Sequence, residues 1–242
     1  MLKPQYNRAY TVPVTPERSS FMKKPIPAYG GTLRSHILNV PKATYECTGM
    51  VIFGRRIKSL VFSTDVATIA NINTDAVIAV YPFTPQPKIS QAIISVSDVP
   101  VFVGVGGGLT SGDRSVRMAI EAENQGAYGV VVNAPMPPDV ITRIKSHVEL
   151  PVVATIVSVT QDFQERVKAG ADILNVSAAA ATPDVVSHIR GFYPDLPIIA
   201  TGGPTEDTIR ATIRSGANAI TYTPPANGDL LSRTMQNYRT TY

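Results

Sequence analysis

The chain has 242 residues, of which 44% are hydrophobic and 17% are charged, and its formal net charge is +4. This composition is typical of a globular protein and excludes a disordered or collagen-like chain. No apolar run approaches the roughly 20 residues of a membrane-spanning helix, and no apolar signal segment opens the sequence. One cysteine, Cys47, and three scattered histidines exclude an internal disulfide and a cysteine-ligated zinc cluster. We therefore expect a cytoplasmic protein with no bound metal and no membrane contact.

Residues 1–43 are rich in proline and show no hydrophobic periodicity, which predicts an extended arm rather than a domain. The basic charge is concentrated at this end, because residues 1–58 contain ten Lys and Arg but only two Glu. A basic arm can bind nucleic acid, but no nucleic-acid motif accompanies the charge. We therefore favour an arm that packs on the acidic remainder of the chain or on a neighbouring subunit, and we expect a homo-oligomer.

Residues 44–58 contain two short stretches on either side of Phe53-Gly54-Arg55, which predicts a β-hairpin. This hairpin comes first in the predicted domain, residues 44–242. Because it precedes the first strand of that domain, we expect it to cover the end at which the strands begin.

Eight apolar runs follow, each rich in β-branched residues and most of them followed by an amphipathic stretch. They are 59–63, 76–81, 101–105, 128–133, 152–157, 173–177, 198–201 and 219–223. Continuous apolar runs of this length are typical of parallel strands that are buried on both faces. Eight strand–helix pairs predict a (β/α)8 barrel, a TIM barrel, and a doubly wound open sheet is the alternative.

An internal repeat favours the closed barrel. Residues 151–155 (PVVAT) align with residues 197–201 (PIIAT) at an offset of 46, and the same offset places 175–177 on 221–223. Similar units repeated along a chain suit a closed ring of strands better than an open sheet.

Active sites of such barrels use residues at the carboxyl ends of the strands. Asp65, directly after the first run, is a candidate general acid or base, or alternatively a helix cap. Asn175 and Ser177 end the sixth run and are the other candidate catalytic residues. No lysine or histidine ends a strand, which argues against Schiff-base chemistry. The scarcity of carboxylates there argues against a Mg²⁺ or Zn²⁺ site.

Two glycine-rich loops are candidate ligand contacts. Thr201, Gly202 and Gly203 open a loop that leads into a helix, where backbone N–H groups and the helix N-terminus favour an anion. A tight turn that needs glycine is the alternative explanation. The loop after the third run contains the second set of glycines. The candidate substrate-binding residues there and at the end of the fourth run are Gly106, Gly107, Gly108 and Asn133.

The segment 196–203 (LPIIATGG), a helix and then 215–220 (SGANAI) resemble the end of the aldolase-type, ribulose-phosphate-binding TIM barrels. The resemblance implies a phosphate held by Gly202, Gly203 and the loop after the last strand. Pro224 and Pro225 in that loop lack an N–H, so Asn227 and Gly228 are expected to supply its contacts. The lysine of the aldolases is absent, since Asn175 and Ser177 end the sixth strand.

Three functions remain open at this point. The first is an enzyme that acts on a small phosphorylated or anionic carbonyl metabolite without a metal, by lyase, isomerase or hydrolase chemistry. The second is a barrel that senses a phosphorylated metabolite without catalysis and acts through its basic arm. The third is an FMN-binding barrel, in which the glycine loop holds the cofactor phosphate; the first function implies no cofactor.

Overall fold

The computed structural model describes residue 27, residues 29–31 and residues 37–241. The chain divides into two units, Met1–Ser35 and His36–Tyr242. The described residues of the first unit, Pro27, Tyr29, Gly30 and Gly31, are all exposed. The predicted arm, residues 1–43, lies mostly outside the described residues and stays a prediction. All that follows concerns the second unit.

Eight parallel strands close into a barrel in the order β10-β3-β4-β5-β6-β7-β8-β9. These strands are β3 (Ser59–Phe62), β4 (Ala76–Ala79), β5 (Val101–Gly106), β6 (Gly129–Val132), β7 (Val152–Ile156), β8 (Ile173–Val176), β9 (Ile198–Thr201) and β10 (Ala219–Tyr222). Nearly every strand residue is buried, because helices cover the outside while side chains fill the inside. The predicted TIM barrel is confirmed and the open sheet is wrong.

Eight helices alternate with these strands. They are α1 (Val66–Ile69), α2 (Pro87–Val96), α3 (Asp113–Asn124), α4 (Pro138–Lys145), α5 (Phe163–Lys168), α6 (Thr182–Phe192), α7 (Glu206–Arg214) and α8 (Asn227–Thr241). The first seven bury an apolar face, whereas α8 has no buried residue. No helix of the described residues combines the length and apolarity needed to cross a membrane.

An antiparallel hairpin precedes the barrel, as predicted, and consists of β1 (Met50–Ile52) and β2 (Arg55–Ile57). Met50, Ile52 and Ile57 pack on the apolar residues that fill the barrel interior. At the hairpin tip, the ring of Phe53 meets the edge of Tyr128, 5.5 Å away and just before β6. The hairpin therefore covers the end at which the strands begin.

The hairpin is shorter than the predicted segment 44–58, because Lys42–Glu46 form a 3-10 helix. The start of this turn is fixed by a carboxylate: Lys42 N–H and Ala43 N–H donate to the side chain of Glu206, at 2.9 and 2.8 Å. Its last residue, Glu46, forms an ion pair with Arg210 of α7. Local strand propensity is overridden here by tertiary contacts.

Residues 37–49, which we call the strap, run across the outside of the barrel. One end is held by Leu38, whose N–H donates to Asn71 O in the loop after α1. The other end is held by Gly49, whose N–H donates to Asn218 O just before β10. Between these points Val40, Ala43 and Cys47 are buried. The strap thus spans the seam between the first and last strands of the barrel.

Candidate functional site

The carboxyl ends of the strands surround a cavity of about 260 Å³, which we call the mouth cavity. Its polar lining comes from β7–β10 and from the end of β6: Asn133, Thr155, Asn175, Ser177, Thr201, Thr221 and Thr223. The opposite side is apolar, with Phe62, Ile78, Val80 and Val131. No side chain in this lining carries a charge. The fold thus brings together four of the residues predicted from the sequence: Asn133, Asn175, Ser177 and Thr201.

The polar groups of the mouth cavity are only partly paired with one another. Asn175 Nδ2 donates to Thr155 Oγ1 at 3.4 Å, and the hydroxyls of Thr201 and Thr182 lie 3.3 Å apart. Asn175 Oδ1 and Thr221 Oγ1 are buried and have no hydrogen-bond partner among the described residues. An unpaired buried polar atom is costly and uncommon. Because both residues line the mouth cavity, a ligand there is a candidate partner for these two atoms.

A second cavity of about 220 Å³ lies between the loops after β4 and β5, and Gly106, Gly107 and Gly108 line it together with Asn133. All three glycines have positive φ. A Cβ at Gly107 would lie 2.7 Å from the backbone N of Asn133, so this glycine is required by close packing. Packing within the protein thus accounts for Gly107, and a contact between this loop and a ligand stays a prediction.

A third cavity of about 800 Å³, the loop cavity, lies between the loops after β9 and β10. Gly202 and Gly203 line it, and neither backbone N–H donates to another described residue. A Cβ at Gly202 would lie 2.6 Å from Ile209 Cγ1. Internal packing therefore explains Gly202, whereas the positive φ of Gly203, 80°, fits the alternative of a tight turn that needs glycine. Thr201, Thr221 and Thr223 also line the mouth cavity, so the two cavities adjoin.

The loop cavity contains charges of both signs. Arg233 of α8 supplies a cation, whereas Asp229 and Glu206 supply carboxylates. The Glu206 carboxylate is already occupied by the strap N–H groups of Lys42 and Ala43 and by Arg210. The start of α7 adds the partial positive charge of a helix N-terminus. Arg233 and the unpaired N–H groups are the features that suit an anion.

Asp65 caps α1 and does not line the mouth cavity. Its carboxylate accepts from Thr68 N–H at 2.8 Å and from Asn227 Nδ2 at 2.7 Å. The hydrogen bond from the backbone of Thr68 is the main cause of the lowered pKa of Asp65. Asn227 is engaged with Asp65, and neither Asn227 nor Gly228 lines the loop cavity. Their phosphate contact remains a prediction that this arrangement does not favour.

A buried arginine that the sequence analysis did not identify supports the loop after β6. Arg166 of α5 is only 7% exposed and donates to Met136 O at 3.2 Å and to Ala134 O. Burial lowers the pKa of this guanidinium. Because Asn133 begins this loop, Arg166 helps to position one of the residues that line the mouth cavity. A charged residue in an amphipathic helix is ordinarily exposed, so no sequence signal marks it.

No role was predicted from the sequence for Thr155, Thr221 and Thr223, which stand at strand ends, or for Arg233. The internal repeat contains the signal for the first three. At the offset of 46, Thr155 corresponds to Thr201, Asn175 to Thr221, and Ser177 to Thr223. All six line the mouth cavity. The repeat that predicts the barrel therefore also marks its polar lining, whereas Arg233 carries no such signal.

The donors of the mouth are hydroxyl and amide groups, whereas Mg²⁺ is usually bound through carboxylates. Within the described part of the chain, no three His, Cys, Asp or Glu residues lie together so as to hold a metal ion. The residues that line the mouth therefore do not fit a carboxylate-held Mg²⁺ site.

The sequence matches no protein-family model and no curated protein sequence. Solved structures do resemble the fold. One is a 2,3-dimethylmalate lyase of the PEP mutase/isocitrate lyase superfamily, with a TM-score of 0.60 and 11% identity over 81% of this chain and 80% of that chain. A phosphonopyruvate hydrolase complexed with oxalate and Mg²⁺ has a TM-score of 0.56 and 13% identity over 78% and 83%. A mandelate oxidase variant with an FMN adduct has a TM-score of 0.57 and 17% identity over 73% and 68%.

At this level of identity the likeness shows the fold alone. It agrees with the predicted TIM barrel, while the aldolase-type, ribulose-phosphate-binding group stays a prediction. The three similar proteins are enzymes by name: a lyase, a hydrolase and an oxidase. One structure contains Mg²⁺ and another an FMN adduct, so the comparisons leave the predicted lack of a cofactor, and its FMN alternative, undecided.

Proposed function

We propose that the protein is an enzyme that acts on a small phosphorylated or otherwise anionic carbonyl compound. The anionic group would lie in the loop cavity and the carbonyl in the mouth cavity. The observation that carries this proposal is that the two cavities adjoin through Thr201, Thr221 and Thr223. One side offers Arg233 and unpaired backbone N–H groups, and the other offers neutral hydrogen-bonding side chains.

The proposed reaction belongs to the lyase, isomerase or hydrolase type and proceeds without a resident metal. The mouth cavity supports a metal-free reaction, since the side chains of its lining are neutral. The Ser177 hydroxyl, the Asn133 amide and the second N–H of Asn175 Nδ2 would orient and polarise the carbonyl by donating hydrogen bonds to it. Asp65 has no part in the proposal, because its carboxylate is used to cap α1 and to hold Asn227.

A phosphate-affinity comparison tests the anion half of the site. Arg233→Gln removes the cation that lines the loop cavity and should weaken binding of inorganic phosphate by about tenfold, as the loss of a charged hydrogen bond does. Arg239→Gln is the matched control, because it removes the same charge from an exposed position of the same helix that does not line the cavity. Equal effects of the two changes in calorimetry would contradict an anion site here.

A turnover assay tests catalysis. The purified protein would be incubated with a panel of phosphorylated aldehydes, ketones and keto acids, with and without EDTA, and followed by phosphorus NMR. We expect conversion of at least one compound, unchanged by EDTA. Conversion only with added Mg²⁺ would contradict the metal-free reaction.

A barrel that binds a metabolite without catalysis is the second candidate. It is favoured by one observation: no residue that lines the mouth cavity titrates near neutral pH. Binding of a panel compound without conversion, together with RNA binding that is lost on deletion of residues 1–43, would support it over the enzyme.

The FMN alternative has a direct test. The loop cavity offers main-chain N–H groups and Arg233 to a phosphate, and the apolar side of the mouth could contact a flat ring. Purified protein with flavin absorbance, or a melting temperature that rises with added FMN, would favour this candidate. A colourless protein whose melting temperature does not change with added FMN would argue against this candidate.

We also propose a homo-oligomer located in the cytoplasm, with no nucleic-acid or membrane partner. Supporting an oligomer, α8 exposes Leu231, Met235 and Tyr238 at a spacing that places them on one side of the helix. Light scattering should give a mass above that of the 25.9 kDa chain. Leu231→Asp should lower that mass, whereas Gln236→Asp, on the other side of the helix, should not.

A further inference from the structure

Two residues that line the mouth cavity each have a buried polar atom without a partner in the described part of the chain. Thr221 is 7% exposed, and the unpaired atom is its Oγ1. Asn175 is half-buried as a residue, but its unpaired Oδ1 is itself buried. These atoms stand on β8 and β10, with β9 between them. The same cavity thus contains two unsatisfied groups on nearby strands.

The hydrogen bonds already formed determine what a ligand must offer. Asn175 Nδ2 donates to Thr155, so the free Oδ1 of the same amide is an acceptor. The hydroxyl of Thr221 can donate or accept. A ligand hydroxyl, which is both donor and acceptor, therefore matches this pair, whereas a carboxylate has no proton to give Asn175.

The charge of the cavity lining also favours a ligand hydroxyl over a carboxylate. No cationic side chain lines the mouth cavity. A carboxylate that entered it would lose its hydration without gaining an opposite charge, which is strongly unfavourable. Phe62, Ile78, Val80 and Val131 on the other side suit a carbon skeleton.

We propose that the mouth cavity selects the uncharged, hydroxylated end of the ligand, with a hydroxyl that donates to Asn175 Oδ1 and pairs with Thr221 Oγ1. This inference rests on the proposed function and narrows it. Within the class of phosphorylated or anionic compounds, the negative group occupies the loop cavity alone. Compounds with a second anionic group at the other end, such as a carboxylate, are rejected. Thr221 is thereby assigned as a specificity-determining residue.

The first test needs no ligand. Thr221→Val removes an unpaired hydroxyl and should raise the melting temperature of the free protein by about 2 °C. Thr155→Val is the matched control: it lies on a neighbouring part of the barrel, is 8% exposed, and its hydroxyl accepts from Asn175. That change should lower the melting temperature. If both variants lose stability equally, the Thr221 hydroxyl is satisfied within the protein and the proposal is overturned.

The second test compares two probes of matched size by calorimetry. Glycerol 3-phosphate has an uncharged diol end, whereas 3-phosphoglycerate keeps the C2 hydroxyl but has a carboxylate in place of the terminal CH2OH. We expect the wild type to bind the first at least about tenfold more tightly, and Thr221→Val to remove most of that preference. Because Thr221 also lines the loop cavity, the affinity of each protein for inorganic phosphate is measured alongside, and the preference is compared after that effect has been subtracted. Equal or tighter binding of 3-phosphoglycerate overturns the proposal.

The two tests separate this inference from the proposed function. If neither probe nor inorganic phosphate binds, the anion site of the proposed function fails. The melting temperatures of Thr221→Val and Thr155→Val still decide whether the mouth contains an unsatisfied hydroxyl.

Discussion

Asp65 shows how one residue type can serve two roles that sequence alone does not separate. A carboxylate after the first barrel strand fits a catalytic acid or a helix cap equally well. The structure shows the cap, since Thr68 N–H donates to Asp65 Oδ1 at 2.8 Å, and the catalytic role stays a prediction. The preference between the two roles depends on where the next helix starts, which sequence patterns locate only to within a few residues.

Replacing Asp65 should therefore affect stability. Asp65→Ala should lower the free energy of unfolding by about 1 kcal/mol at pH 7, because a capping acceptor is lost. Asp65→Ser retains an acceptor and is the control. The lowered pKa of Asp65 means that its contribution is present above the unfolded pKa near 3.9 and is lost as the pH falls through the lower folded pKa. Urea unfolding of the wild type and both variants from pH 7 down to about pH 2 measures this; a stability difference between the wild type and Asp65→Ala that does not shrink over this range would contradict it.

Cys47 is a structural rather than a reactive cysteine. The thiol is buried in the strap, and burial raises its pKa to about 11. We expect native protein at pH 8 to react with a thiol reagent such as DTNB far more slowly than urea-unfolded protein, because the thiolate is the reactive form. Stability should fall as the pH rises from about 8.5, where the unfolded thiol ionises, to about 11. Rapid labelling of the native protein would be inconsistent with this burial.

At the scale of elements, the sequence predicted the strands well and the segment before them less well. Each of the eight apolar runs overlaps a barrel strand and matches its ends to within two residues, because a strand buried on both faces is apolar at most positions. The strap was not predicted, since its 3-10 helix depends on Glu206, more than 160 residues away. Local patterns cannot report such a partner.

Four of the seven polar residues that line the mouth cavity were predicted as site residues from the sequence. Asn133, Asn175, Ser177 and Thr201 were nominated because they are polar residues at strand ends. Threonine is common in ordinary strands, so Thr155 and Thr221 carried no chemical signal of their own. Their place in the site becomes visible only when the barrel closes and both residues line the mouth cavity.

The loop after β6 depends on a helix that follows it in the chain. Arg166→Met should lower the free energy of unfolding by about 1–3 kcal/mol, because Ala134 O and Met136 O lose their donor while buried. Lys168→Met, an exposed change in the same helix, should have little effect. Denaturant unfolding measures both. A similar loss for the two variants would argue against a support role for Arg166.

At the scale of the whole molecule, the barrel is closed on its outside by the strap. The strap packs against α7, while α8 buries none of its residues. Thus a short segment from before the barrel, rather than the last helix, covers the seam between β3 and β10. The hydrogen bonds from the strap N–H groups to the Glu206 carboxylate are the most specific contacts between the strap and α7.

Loss of Glu206 should therefore weaken the whole fold. Glu206→Ala leaves two strap N–H groups without their acceptor and should lower the free energy of unfolding by about 1–2 kcal/mol. Asp207→Ala is the control, because this neighbouring carboxylate is nearly fully exposed and does not contact the strap. If both substitutions cost the same in thermal unfolding, the hydrogen bonds to the strap contribute nothing.

The strap also sets an order of events during synthesis. Residues 42 and 43 emerge from the ribosome long before Glu206, their acceptor 164 and 163 residues later. Until α7 and β10 have been translated, residues 42 and 43 lack their acceptor and Gly49 lacks Asn218, although Leu38 can already contact Asn71. Docking of the whole strap must therefore wait for these late elements, and contacts this distant in sequence are expected to slow it.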